Sequence, residues 1–165
     1  MQKHQPQAHD IAEQVTRFLQ RGAVLADIRG LSERDMNAVY TLAYNQYDHG
    51  AYQRAETLFR FLCFYNHLEK KYFMGVGACR HMMRNYAGAV EAYAVAALLD
   101  ADDPRPQVYT GESLSAQGDR GKAAIALEAA IECCDAHAHW EPLKNHASAL
   151  LARLKQTHEE VGTCL

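Results

Sequence analysis

A chain of 165 residues with a formal net charge of −3 is long enough for one domain with a sizeable core, and its charge gives no electrostatic reason to expect nucleic acid or an anionic membrane as partner. No apolar run approaches the roughly 20 residues that span a bilayer, and the start of the chain lacks the apolar segment of a signal peptide. The sequence therefore predicts an intracellular protein without membrane insertion. Its five cysteines, an odd number without framework spacing, are expected to be free thiols.

The first 35 residues are predicted to form a helical segment of their own. From Asp10 to Gly22 apolar residues recur at helical spacing, and a shorter helical segment follows at 23–28. Ser32 and Asp35 have the spacing of a capping box at the start of the next helix. The apolar stripe of the first helix predicts a homodimer contact, and packing of that stripe onto the first repeat is an equally supported alternative. The stripe consists of Ile11, Val15, Phe18 and Leu19.

A period of 34 residues organises the central part of the chain. Alanines recur at this interval, each with a small residue twelve positions earlier and a larger side chain four positions later. The alanines are Ala55, Ala89 and Ala123, the small residues Ala43, Gly77 and Gly111, and the larger ones Phe59, Tyr93 and Leu127. Small residues let two helices cross at close range, and the larger side chains fill the space beside the crossing. The interval is that of the tetratricopeptide repeat, a helix–turn–helix unit.

Three such units are predicted at 36–69, 70–103 and 104–137, each with an A helix followed by a B helix. The A helices are expected at 33–48 and 70–83, with the third ending near Gln117. The B helices are expected at 53–66, 87–99 and 121–134. The turns between them carry Gly50, Asn85 and Gly118, which tolerate left-handed backbone angles.

Residues 138–165 are predicted to be a capping helix and a tail. Pro142 opens the helix, and an apolar stripe along it would cover the last repeat. The stripe consists of Leu143, Ala147, Leu150, Leu151 and Leu154. Residues 156–165 show no clear period and are expected to be loose. The predicted fold class is thus all-α: three tetratricopeptide repeats in a concave cradle, with an N-terminal helical segment and a C-terminal capping helix.

A-helix residues that are not needed for packing on the B helices are expected to face the cradle. In the first unit they are Tyr40, Tyr44 and Tyr47, an aromatic wall with hydroxyl groups that suits an extended peptide. An alternative is that these tyrosines pack against the N-terminal helix. The other predicted groove residues are Lys71, Met74, Ala78, His81, Arg105 and Val108, with Glu112 and Ser115 at the same register positions. Met74 and Val108 also fit ordinary core positions.

No residue pattern predicts an enzyme, a cofactor or a metal site. Cys133 and Cys134 with His137 and His139 superficially resemble a zinc cluster. However, adjacent cysteines on a helix point about 100° apart, and zinc sites usually separate their cysteines by two to four residues. A thiol or metal enzyme is therefore the least supported class.

The chain resembles the class II chaperones of type III secretion systems over about residues 18–154. The resemblance rests on GAVL at 22–25, IRGLS at 28–32, the tyrosine segment at 40–47, AETLFRFLC at 55–63 and YFMGVGAC at 72–79. It implies a cytoplasmic bacterial chaperone that holds an extended, proline-containing segment from near the N-terminus of a pore-forming translocator in its groove. It also implies dimerisation through the N-terminal helix. Some members act with a transcription activator, a role that these residues do not indicate.

Two other tetratricopeptide proteins remain as alternatives. A heat-shock co-chaperone grips a carboxylate with a ring of Lys, Asn and Arg, but here Tyr40 and Tyr44 stand at ring positions and leave Lys71 and Arg105 without the rest. An adaptor in protein assembly or regulation, including co-activation of a transcription factor, would bind through its convex surface instead.

Overall fold

The computed structural model describes residues 24–136 and 138–162, and this part of the chain is helical throughout, without a strand. The predicted all-α fold is therefore confirmed. The predicted helix at 10–22 and its dimerisation stripe lie outside the described residues. The helices are α1 (Leu25–Arg29), α2 (Glu33–Asp48), α3 (Tyr52–Tyr65), α4 (Lys70–Met82), α5 (Tyr86–Leu99), α6 (Arg105–Gln117), α7 (Arg120–Cys134) and α8 (Glu141–Gly162), with a short 3-10 turn at Ala138–Trp140.

Local sequence sets where these helices begin. The Ser32 hydroxyl accepts the backbone N–H of Asp35 at 3.2 Å, and the Asp35 carboxylate accepts the backbone N–H of Ser32 at 2.9 Å, so the predicted capping box is confirmed. Asn85 and Asp119 cap α5 and α7 in the same way, by accepting the backbone N–H groups of Gly88 and Lys122. Each cap satisfies a donor that has no partner within its own helix.

Successive helices pack in pairs, and the small residues mark the crossings as predicted. A methyl group added at Gly77 would lie 2.5 Å from Cε1 of Tyr93, and one added at Gly111 would lie 2.7 Å from Cγ of Leu127. Tyr93 and Leu127 are themselves buried. The A and B helices can approach this closely only because one partner has no side chain at the crossing.

This contact predicts that Gly77→Ala destabilises the protein by about 1–2 kcal/mol, because overpacking outweighs the better helix propensity of alanine. Gly121→Ala is the matched control: Gly121 also lies in a helix, but its added methyl would meet nothing closer than 4.0 Å. It should be neutral or slightly stabilising. Urea unfolding measures both, and equal stabilities for the two variants would contradict the crossing described here.

The turns correct one prediction. Gly50 and Gly118 adopt left-handed angles, with φ of 75° and 94°, but in the second unit the left-handed residue is Arg84, with φ of 61°. Asn85, predicted for this role, has φ of −84° and caps α5 instead. Arg84 lies 34 residues from each of the two glycines, so the 34-residue period holds. The predicted turn residue, Asn85, is one position C-terminal to the observed one.

Among the described residues, two apolar clusters contribute to the core. One joins α1 to the first two units and includes Ala43, Phe59 and Val76. The other joins the third unit to α8, where every residue of the predicted C-terminal stripe packs against or belongs to the cluster of Val108 and Leu127. The capping role of α8 is thus confirmed. The expectation of a loose tail from residue 156 is wrong as far as Gly162, because α8 continues to that residue.

Candidate functional site

A cavity of about 480 Å³ lies along the three A helices, α2, α4 and α6. Eight of the nine predicted groove residues line it: Tyr40, Tyr44, Tyr47, Lys71, Met74, Ala78, His81 and Arg105. Each comes from the same face of its helix, and this shared face follows from the 34-residue register. Glu112, predicted from the same register, also lines the cavity, whereas Ser115 borders a neighbouring one.

The three tyrosines form one wall of this cavity. Tyr40 is half-buried, with its ring 5.8 Å from that of Phe59, and Tyr47 packs edge-on against Tyr52 at 5.4 Å. Burial raises the pKa of Tyr40 and of Tyr47, so both hydroxyls stay protonated at neutral pH and can donate hydrogen bonds. Tyr44 is the most exposed of the three, at 55%. Whether residues before 24 cover these rings lies outside the described part of the chain.

Val108 is the groove prediction that the structure contradicts. Its side chain is 0% exposed and packs with Leu127, Ala130 and Ala147. The reason is the C-terminal helix: α8 supplies Ala147 to this cluster and turns the position into core. The next residue, Tyr109, lines the cavity in its place, with its ring 5.6 Å from that of Tyr93.

Several lining residues were not predicted as groove residues. Phe59 and Tyr93 were predicted to fill space at the helix crossings, and they also reach the cavity. The lining residues that the sequence reasoning did not place there are Phe59, Lys70, Gly75, Met82, Tyr93 and Tyr109. Aromatic residues are common in protein cores, so the residue type of Tyr109 did not indicate that it lines the cavity. The only sequence feature that could have indicated it was its position beside Val108.

Comparisons with known proteins agree with this architecture. The tetratricopeptide-repeat family model matches residues 36–67 and 71–103. Low calcium response locus protein H of Yersinia pestis is 30% identical over 148 residues, which cover 90% of this chain and 88% of that protein. Chaperone protein SicA of Salmonella dublin is 32% identical over 150 residues, covering 91% and 88%.

The type III secretion translocator chaperone SycD of Yersinia enterocolitica, solved as an alternative dimer, superposes with a TM-score of 0.74 at 31% identity, covering 78% of this chain and 98% of SycD. SycD in complex with a peptide of the translocator YopD gives 0.73 at 30% identity, with the same coverage. The chain belongs to the translocator chaperones of type III secretion. Proteins of this family are chaperones, which agrees with the prediction that the chain is not an enzyme.

The cationic end of the cavity, which carries Lys70, Lys71 and Arg105, is organised around a buried carboxylate. Asp103 is 3% exposed and accepts hydrogen bonds from Lys70 at 2.5 Å and from the Arg105 guanidinium at 2.7–3.0 Å. Burial raises the pKa of Asp103, but the bonds from Arg105 and Lys70 outweigh it and lower the pKa to about 2. Arg105 also stacks on Trp140, with Cζ 5.4 Å from the ring centroid.

Lys71 differs from Lys70 and Arg105 in its surroundings. Its ammonium lies 5.1 Å from the ring centroid of Tyr40 and 5.5 Å from that of Tyr72, and 3.5 Å from the side-chain oxygen of Asn37. Its carboxylate contact, to Glu69, is long at 3.9 Å. Of the three cations at this end of the cavity, Lys71 thus has the longest carboxylate contact.

The described residues contain no group of three or more His, Cys, Asp or Glu that could hold a metal ion. His137, part of the sequence cluster considered above, lies outside them. Burial raises the pKa of Cys63 and of Cys79 to about 12, so these thiols remain protonated and unreactive at neutral pH. Between residues 24 and 162, apart from residue 137, no helix is long and apolar enough to cross a membrane.

Proposed function

We propose that this chain binds an extended, proline-containing segment near the N-terminus of a pore-forming translocator in the cavity lined by Tyr40, Tyr44 and Tyr47, and keeps that client soluble and competent for secretion. The observation that carries the proposal is the aromatic wall facing a cavity of about 480 Å³ on the concave side. The solved complex of the related chaperone SycD with a peptide of the translocator YopD supports it.

The chemistry of the cavity suits such a segment. Aromatic rings bury apolar surface with little loss of conformational entropy, and the tyrosine hydroxyls can bond the backbone of an extended chain. Affinity would come from a few side chains seated against these rings. The heat-shock type of carboxylate clamp is less well supported, because the guanidinium of Arg105 is already engaged by Asp103.

The state in which the chaperone works is part of the proposal. We propose a homodimer through Ile11, Val15, Phe18 and Leu19, supported by the dimeric form in which SycD was solved. The proposed location is the bacterial cytoplasm, where a client must wait before export. The resemblance also suggests action with a transcription activator after client release, and no residue of the cavity is assigned to that role.

Co-expression with the translocators of the same secretion system tests the function. With an affinity tag on this chain, we expect a translocator to become soluble and to purify with it, whereas the same translocator alone should be insoluble. A translocator that lacks its N-terminal region is the control and should not be recovered. Equal recovery of both forms, or of neither while this chain is folded, would contradict the proposal.

A further inference from the structure

His81 lies where two cavities meet. It lines the cavity with the tyrosines and also a second cavity of about 400 Å³ between α6, α7 and α8. Glu112 is the other residue that borders both cavities, and the second cavity has polar as well as apolar lining residues. Its apolar lining residues include Leu127, Leu150 and Leu154. An extended segment that occupies both cavities must therefore pass His81.

The hydrogen bonds around Ser113 fix which nitrogen of His81 carries the proton. Ser113 is fully buried, and its hydroxyl donates to the backbone carbonyl of Tyr109 at 2.8 Å. A hydroxyl has one proton, so it can only accept at its second contact, which is Nδ1 of His81 at 2.9 Å. Nδ1 of the neutral ring is therefore the donor, and Nε2 is an acceptor.

The ring is also held in place. Tyr86 packs against it in a T-shaped arrangement, with ring centroids 5.4 Å apart at an interplanar angle of 68°. Nε2 lies on the side of the ring away from Ser113, and among residues 24–136 and 138–162 it has no hydrogen-bond partner. The neighbouring acceptor, Glu112, is engaged by Nε2 of His146 at 2.8 Å.

We propose that Nε2 of His81 accepts a hydrogen bond from a backbone N–H of the client segment as it passes from the first cavity to the second; this inference rests on the proposed function. The tyrosine hydroxyls and Lys71 offer donors that can satisfy client carbonyls, whereas a preorganised acceptor suits an amide. Proline has no backbone N–H, so the client residue opposite His81 is not proline. His81 thus sets where the prolines of a client can fall.

Two substitutions test the bond between Nδ1 of His81 and Ser113 separately from the proposed bond between Nε2 and the client. His81→Asn keeps an amide donor near the position of Nδ1, within reach of Ser113, and removes the group at Nε2. His81→Gln places an amide oxygen near the position of Nε2. The probe is the tightest-binding synthetic peptide from the N-terminal region of the translocator of the same system, together with versions in which one backbone amide at a time is replaced by an ester.

In calorimetric titrations, one ester is expected to weaken binding to the wild type about three- to tenfold, the usual effect of one hydrogen bond. His81→Asn should weaken binding of the parent peptide by a similar factor at an unchanged unfolding temperature. The same ester should then cause no further loss, since the bond is already absent. His81→Gln should recover part of the affinity.

An ester scan that affects the wild type and His81→Asn equally at every position would overturn the proposal and leave the proposed function standing. Proline at the position where the ester weakens binding is a second test: if proline there leaves the affinity unchanged, the proposal is overturned and the proposed function stands. If no peptide from the translocator binds the wild type, the proposed function fails, and the role of His81 fails with it.

Discussion

Changing Tyr40, Tyr44 and Tyr47 together to alanine is expected to weaken binding of the translocator segment by at least about 100-fold. Aromatic residues at the centre of an interface commonly contribute more than 1 kcal/mol each, and about 1.4 kcal/mol corresponds to a factor of ten. The three rings stand on one wall of the cavity, so their loss removes the aromatic surface of that wall. Calorimetric titration with the purified segment measures the change.

Matched controls distinguish the cavity from apolar surface in general. Phe61, Phe64 and Leu98 are 39%, 68% and 86% exposed and lie outside the cavity, so their joint change to alanine should leave the affinity unchanged. Tyr40 and Tyr47 also have packing roles, so the triple variant loses stability as well as binding surface. Tyr44→Ala alone changes only the most exposed of the three and separates the two effects. It should still weaken binding severalfold. Equal affinities for the tyrosine and control triple variants would contradict the groove assignment.

The second large effect is expected at Asp103. Asp103→Ala should lower the free energy of unfolding by about 3 kcal/mol, because it leaves the partly buried Lys70 and the stacked Arg105 without their shared carboxylate. Lys70 retains Asp100 at 2.6 Å, which limits the loss. The control is Asp102→Asn, on the same connection but exposed, which should change stability by less than about 0.5 kcal/mol. Urea unfolding of the three proteins measures the difference.

The same carboxylate predicts a pH dependence. The pKa of Asp103 is lowered from 3.8 to about 2 in the folded protein, so the folded state favours the charged form. The stabilisation is therefore fully present above about pH 4 and is lost as the pH falls toward 2. The stability difference between the wild type and Asp103→Asn should shrink over this interval. A constant difference from pH 7 to pH 2 would show that the charge of Asp103 is not what stabilises the fold.

Much of the fold could be predicted because the repeat imposes equivalent environments on distant residues. The predicted start and end of α2 match the structure, and its capping box forms because Ser32 and Asp35 are close in sequence. Gly77 and Gly111 face the large side chains that the register assigns to them. These features depend on local spacing or on the period, and both can be read from one sequence.

The errors occur where the environment departs from the period. Val108 has the register position of Tyr40 and Met74, but α8 follows the third unit and covers it. Arg84 occupies a turn position that is glycine in the other two units. The second unit has no glycine there, so the residue types predicted the left-handed turn at Asn85 instead. The contact between His81 and Ser113 depends on side-chain conformations, which spacing alone does not determine.

Site-specific photo-crosslinking tests most directly whether the client lies in the cavity. A photoreactive phenylalanine analogue is placed at Tyr44, inside the cavity, in one protein and at Phe64, on the exposed face of α3, in another. The two proteins are otherwise identical, and both positions are accessible and aromatic. With co-expressed translocator, we expect crosslinks from position 44 into the N-terminal segment of the client and none from position 64. Crosslinks from position 64 alone would place the client on the outer surface and contradict the account.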